Sequence, residues 1–179
     1  MGKQITFNRS HIIMVNESVA MAEELVSDFF KMSATEWLRP KYDVKTADDL
    51  SKDEIVDGPF AQIIRYEGKL KDTSLGSAAY DFYKICLQDH AILSAIQNNP
   101  RLQLFAFVLY IVVHELIHII RFSKFLQNFD ASQDERLLEE TRVHELTHEI
   151  LSSVRVDGLS AILQFYKEWR APIDGLHNT

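Results

Sequence analysis

The chain has 179 residues, 46% of them hydrophobic and 25% charged, which predicts one domain with room for a substantial core. A net charge of -7 with no Lys/Arg run argues against nucleic acid or anionic lipid as partners. A lone cysteine, Cys86, excludes an internal disulfide and a thiolate-rich zinc site; with no apolar core in the opening MGKQITFNRS, the expectation is a cytoplasmic protein.

In chain order, apolar residues at helical spacing (Val19, Ala22, Val26, Phe29) predict a first helix from Asn16, its cap, to about Trp37. Pro40 ends it. The stretch 41–73 reads as a long irregular connection. Within it TADDLSKDEI suits a short polar helix, Gly58-Pro59 a turn, and FAQIIRYEGKL an extended excursion. A second helix is expected from about Ser77 to Ile96, burying Phe82, Ile85, Cys86, Ile92 and Ile96.

NNP at 98–100 stops that helix, and Arg101 opens a third that reaches about Gln127. Its stretch Leu102 to Phe122 is apolar enough to be mistaken for a membrane span. His114, Glu115, His118 and Arg121 interrupt it, so a fully surrounded bundle helix is expected instead, with no membrane. NFDASQD is a turn, a fourth helix runs from about Asp134 to Arg155, and LSAILQFYKEW after Gly158 forms a short last helix. The expected fold is therefore all-α: an up-and-down antiparallel four-helix-type bundle in a single domain, with a tail at 171–179.

The third and fourth helices carry nearly the same phrase, V-H-E-L-x-H-x-I, at 113–120 and 143–150, identical at six of eight positions. At about 100° per residue, His114, Glu115 and His118 fall on one face, as do His144, Glu145 and His148. Two such triplets, buried together without a cation, would leave lone pairs and charges costly to satisfy. Both His114/His148 and His118/His144 are centred on Ala131, in the middle of the turn. An antiparallel hairpin folded about Ala131 would bring His114 opposite His148 and His118 opposite His144, around one shared site.

Paired E-x-x-H on bundle helices (Glu115 with His118, Glu145 with His148) resembles the ferritin-like di-iron and di-manganese carboxylate proteins. That resemblance implies a dinuclear centre completed by acids of the first two helices: Glu23, on the apolar face of helix one, and Asp81, level with the site on helix two and favoured over Asp89. It implies a divalent transition metal, iron ahead of manganese or zinc, and a non-haem oxidoreductase acting on an unidentified small molecule. The short hairpin and the extra His114 and His144 depart from that family.

VVHELIH and RVHELTH also resemble the zincin metallopeptidases. There two histidines bind zinc and the intervening glutamate, here Glu115 or Glu145, is the general base. A third ligand lies downstream: Glu139 or Glu140 for the first copy, Asp157 for the second. The longer H-E-x-x-H-x-x-G-x-x-H continuation is missing, and little β-structure is expected to offer a substrate-binding edge strand. A non-catalytic metal-binding or sensor role is the remaining alternative. Tyr80, Tyr83 and Tyr110 are expected to pack, and self-association of the chain is left open.

Overall fold

The computed structural model describes residues 4–33, 41–69, 79–124 and 130–170. It overturns the all-α expectation. Among the described residues five helices, α1 (Arg9–Phe30), α2 (Asp89–Asn98), α3 (Leu104–Ser123), α4 (Gln133–Leu151) and α5 (Leu159–Phe165), accompany three strands, β1 (Lys41–Lys45), β2 (Ala61–Lys69) and β3 (Ala79–Leu87). The sheet order is β1-β3-β2, with β1 parallel and β2 antiparallel to β3.

The correction falls mainly on the expected second helix. Residues 79–87 form the central strand, and a helix begins only at Asp89. Phe82, Ile85 and Cys86 mimic an i, i+3, i+4 helical stripe. A strand covered on both faces loses the alternation that would betray it, and Ile85, Cys86 and Leu87 are all fully buried. Aromatic and β-branched side chains suit that setting. The extended excursion is β2, and TADDLSKDEI folds as two short 3-10 turns, Ala47–Asp49 and Lys52–Glu54.

α1 begins about two turns earlier than its sequence suggested. Asn8 accepts from the His11 N–H at 2.9 Å, and the His11 ring accepts from the Asn8 N–H at 3.1 Å, a reciprocal box that caps the helix at Asn8 rather than Asn16. Val15, Ser18, Ala22 and Val26 form its buried stripe. Ser18 is small and donates to the carbonyls of Met14 and Phe105, so it can lie against the backbone of α3. The helix stops at Phe30, short of the expected end at Trp37 and Pro40, because Lys31 turns left-handed (φ 52°) and its N–H closes on Asp28; the third helix likewise stops at Ser123, short of Gln127, with Trp37, Pro40 and Gln127 themselves outside the described residues.

α3 is the axis of the fold. By length and composition it could cross a membrane, with mean hydropathy 1.9, yet 89% of its most apolar window is buried within this chain. α1, α4 and α5 pack around it, and the sheet closes the remaining side through Phe60 against Phe107 and Tyr83 stacked on Phe122. Apolar residues all round a helix are what such encirclement requires.

Two acids considered as metal ligands have structural roles here. Asp89 is buried and accepts the backbone N–H groups of Phe7 (2.8 Å) and Ala47 (3.0 Å), tying the N-terminus and the β1 exit to α2. Glu23 accepts from the Tyr42 hydroxyl at 2.7 Å across the α1–β1 groove. The side chain of Asp81, whose backbone is in β3 opposite Glu67, lies outside the described residues.

Glu54 anchors the connection to the sheet. Its carboxylate accepts from Lys84 at 2.7 Å, Tyr66 at 2.8 Å and the Ser51 N–H at 2.9 Å. The Lys84 ammonium first, then the Ser51 and Tyr66 donors, hold the carboxyl down at about 2. A carboxyl lowered in the folded state stabilises the protein above its ordinary value of 4.5, and that contribution is lost as pH falls towards about 2. Urea unfolding of the native chain and of Glu54→Gln should therefore show the native chain losing more stability between pH 5 and pH 3. Equal losses would remove Glu54 from the acid response.

Candidate metal centre

The first phrase sits in the middle of α3, where two turns of rigid, buried helix hold its side chains. His114 and His118 are buried and project to the same side, their Nε2 atoms 3.1 Å apart. From α4, Glu140 closes the group: one carboxylate oxygen is 3.2 Å from His114 Nε2, the other 3.0 Å from His118 Nε2. Ligand atoms 2.0–2.1 Å from a tetrahedral centre stand roughly 3.3 Å apart, so this triad already has the spacing of one face of such a site. His114, His118 and Glu140 form the one group of potential ligands that converges in this way among the described residues.

The chemistry of the donor set also fits a cation. Two Nε2 atoms facing each other are compatible only if a proton, or a metal, lies between lone pairs. Glu140 is ionised in this arrangement: burial acts to raise its carboxyl, but hydrogen bonds from His114 and His118 outweigh that and hold it well below the usual carboxylate range. Its side chain is still 43% exposed, so these direct contacts, more than depth, set its charge. Among the described residues His114 Nδ1 is buried without a hydrogen-bond partner, a local cost set against the gain at Nε2.

The second phrase is used differently. His144 is buried, its ring centroid 4.2 Å from that of His114, and its Nε2 is 3.8 Å from Glu140. Its Nδ1 lies 2.7 Å from the Tyr110 hydroxyl, one turn before His114 on α3, and Tyr110 is stacked on Tyr166 at 4.0 Å. Glu145 faces solvent, His148 is half-buried, and neither belongs to the converging group. Nor do Glu23 or Asp157, whose nearby sequence had suggested ligands.

The facing pairs are displaced by one helical turn from those the turn sequence predicted. Helix α3 ends at Ser123 and α4 begins at Gln133, so the hairpin is centred near position 128, not on Ala131. His114 therefore meets His144 instead of His148, and Glu140 arrives level with His118. Of the two candidate third ligands for the first phrase, Glu140 is the one at the site. Its neighbour Glu139 is taken by Arg121 in a two-pronged ion pair at 2.7 and 2.8 Å.

Glu115 is half-buried and opens with His114, Glu140 and His144 onto a cleft of about 610 Å³. Burial pushes its carboxyl up, against the pull of His114 and His118 and with a further push from Glu140. The cleft is walled by Phe60 and Ala61 at the start of β2, by Tyr110 and Ile111 of α3, and by Phe165 and Tyr166 at the end of α5. Gly158 launches that last wall: its φ of 81° suits glycine, and a Cβ there would come within 2.8 Å of the Gln103 side chain. Apart from Tyr110, none of these wall residues was singled out in the sequence. Aromatics in QFYKEW look like ordinary core until a tertiary cleft gives them a face.

Fold and site together define a mixed α/β protein in which two buried histidines and a partly exposed glutamate converge beside a solvent-open cleft. No family model, curated protein or solved structure is significantly similar to this chain.

Proposed function

We infer that the protein is a mononuclear, zinc-type metal-dependent hydrolase of amide or peptide bonds. The observation that carries this reading is the triad of His114, His118 and Glu140 at 3.0–3.2 Å spacing, with Glu115 of the same helical turn facing the open cleft. Three protein ligands are the complement of a catalytic zinc site, where a structural site uses four. When bound, such an ion supplies a Lewis acid that polarises a carbonyl and makes water acidic. Glu115 is placed to take the proton of the attacking water and hand it to the leaving nitrogen. His144, its ring orientation held by Tyr110, is placed to donate a hydrogen bond to the oxygen on which charge develops.

A further support comes from the sheet that the sequence did not foretell. β2 pairs with β3 alone among the described residues, so it is an edge strand, and its first residue lines the cleft. An extended chain laid beside an edge strand is a common way to present a peptide.

A second reading keeps the non-haem oxidoreductase. Two histidines and one carboxylate are also the ligand set of iron(II) oxygenases, and His144 makes the site richer in nitrogen. The presence of Glu115, a second carboxylate beside the triad and in the cleft, favours hydrolysis.

Metal analysis of protein purified without added metal, followed by assay of Glu115→Gln, separates the two. The expected result is one zinc per chain in both proteins, with amide hydrolysis lowered about 10²- to 10⁴-fold in the variant. Retained iron with oxygen consumption would move the assignment to the second reading. Binding unaffected by Ala at both His114 and His118 would overturn both.

A further inference from the structure

The cleft beside the triad has a chemical character of its own. Among the described residues that line it, the carboxylates are Glu115 and Glu140, and there is no Lys or Arg. Away from the triad and His144, a carboxylate or phosphate seated beside Phe60 and Phe165 would find no cationic side chain to pair it, and Glu115 nearby would repel it. Beyond His114 and His144 at the triad, the remaining wall is aromatic and aliphatic. Phe165 is the telling residue, because it is 37% exposed and yet held in place by ring contacts with Phe60 (6.2 Å), Phe107 (5.8 Å) and Tyr166 (5.0 Å). A phenyl ring kept rigid with one face in solvent has lost its rotamer freedom without finishing its burial. Its uncovered apolar area is available to a ligand at little ordering cost.

We propose that this cleft recognises a bulky uncharged side chain, aromatic or branched aliphatic, next to an internal amide bond, and rejects substrates that present a carboxylate or phosphate there. The proposal rests on the hydrolase reading and names its substrate class. Its volume of about 610 Å³ falls within the usual range for a small-ligand pocket, enough for one large side chain and the adjoining backbone. The reaction is hydrolysis: the amide C–N bond breaks, the oxygen of water bonds the carbonyl carbon, and the protons of water pass to the leaving amine and the new carboxyl group. Phe60 and Phe165 form the side-chain wall, and Glu115 is the general base already assigned.

The test uses zinc-reconstituted full-length chain and blocked-terminus quenched peptides that differ only in the residue beside the cleaved bond: Phe, Leu, Gly or Asp. The Phe and Leu peptides should exceed the Asp peptide in kcat/KM by about 100-fold, and Phe165→Ala should cut that ratio about 10-fold. Phe165 is partly exposed, so its truncation is a mild change to the fold. Zinc-dependent turnover with a Phe/Asp ratio near one, or inverted, overturns the proposal and leaves the hydrolase reading standing.

If no peptide is cleaved, the hydrolase reading fails by itself. N-acetyl-phenylalanine amide, titrated into the same protein and followed by NMR, then decides the pocket. Shifts absent with N-acetyl-aspartate amide and lost in Phe165→Ala support an apolar site. No shifts with either probe overturn it.

Discussion

Alanine in place of Glu140 is expected to weaken zinc binding by about 100-fold or more, whereas alanine in place of Glu145 leaves it unchanged. The two glutamates lie five positions apart on one helix, and Glu145, inside the repeated H-E-x-x-H phrase, looks the better ligand on paper. Geometry reverses that ranking. Glu140 places its two oxygens 3.2 and 3.0 Å from the Nε2 atoms of His114 and His118, while Glu145 faces solvent. Removing Glu140 leaves two imidazoles to hold the ion, and it also removes the negative charge that offsets the ion's own. Competition with a chromophoric chelator measures both variants. Equal losses from Glu140→Ala and Glu145→Ala would return the site to a shared arrangement of both phrases.

Arg121→Ala is expected to destabilise the fold by about 3 kcal/mol, the low end of the range for stripping one partner from a buried ion pair. Arg121 and Glu139 are 10% and 13% exposed, so the abandoned carboxylate would sit largely out of water. Arg142, at 3.3 Å from Glu139, offers partial compensation, which is why the low end applies. The fork joins α3 one turn after His118 to α4 one residue before Glu140, so it also sets how Glu140 meets His114 and His118. Zinc affinity should fall about 10-fold in Arg121→Ala, and Arg121→Lys should restore little, because an ammonium cannot make the two-pronged contact. Urea unfolding and chelator competition read the two effects separately. A double Arg121→Met, Glu139→Gln variant, with no charge left buried, should be less destabilised than Arg121→Ala.

Much of the candidate centre was legible from local periodicity. The spacing of His114, Glu115 and His118 is a property of the α-helix, and apolar residues on every side of that helix mark it as buried before any fold is known. Glu140 was legible too, as one of two downstream acids, because a zinc triad needs a third ligand. The choice between Glu139 and Glu140 was beyond local reasoning. Adjacent residues point about 100° apart, and which of them faces α3 depends on how the two helices are rotated and staggered.

The sheet was missed for a related reason. In YDFYKICL the apolar residues Phe82, Ile85 and Cys86 satisfy a helical stripe as well as a strand covered on both faces, and only pairing with β1 and β2 decides between them. Glu23 and Asp89 illustrate the same limit. Each is an acid on or near an apolar face, and each is engaged by a partner distant in sequence, Tyr42 for one and the backbone of Phe7 and Ala47 for the other.

By itself, then, the sequence determined that α3 is buried, that His114 and His118 share a face, and that a second set of candidate ligands lies one hairpin away. These follow from covalent spacing along a helix, which tertiary structure does not alter. Tertiary structure alone decided the register of the hairpin, centred near 128 and not on Ala131, and with it the exchange of Glu145 and His148 for Glu140 and His144. A shift of one helical turn preserves every local pattern and the apolar faces that drive packing. What selects between such registers is the contact between side chains that are far apart in the chain, here the Arg121–Glu139 fork and the Tyr110–His144 contact.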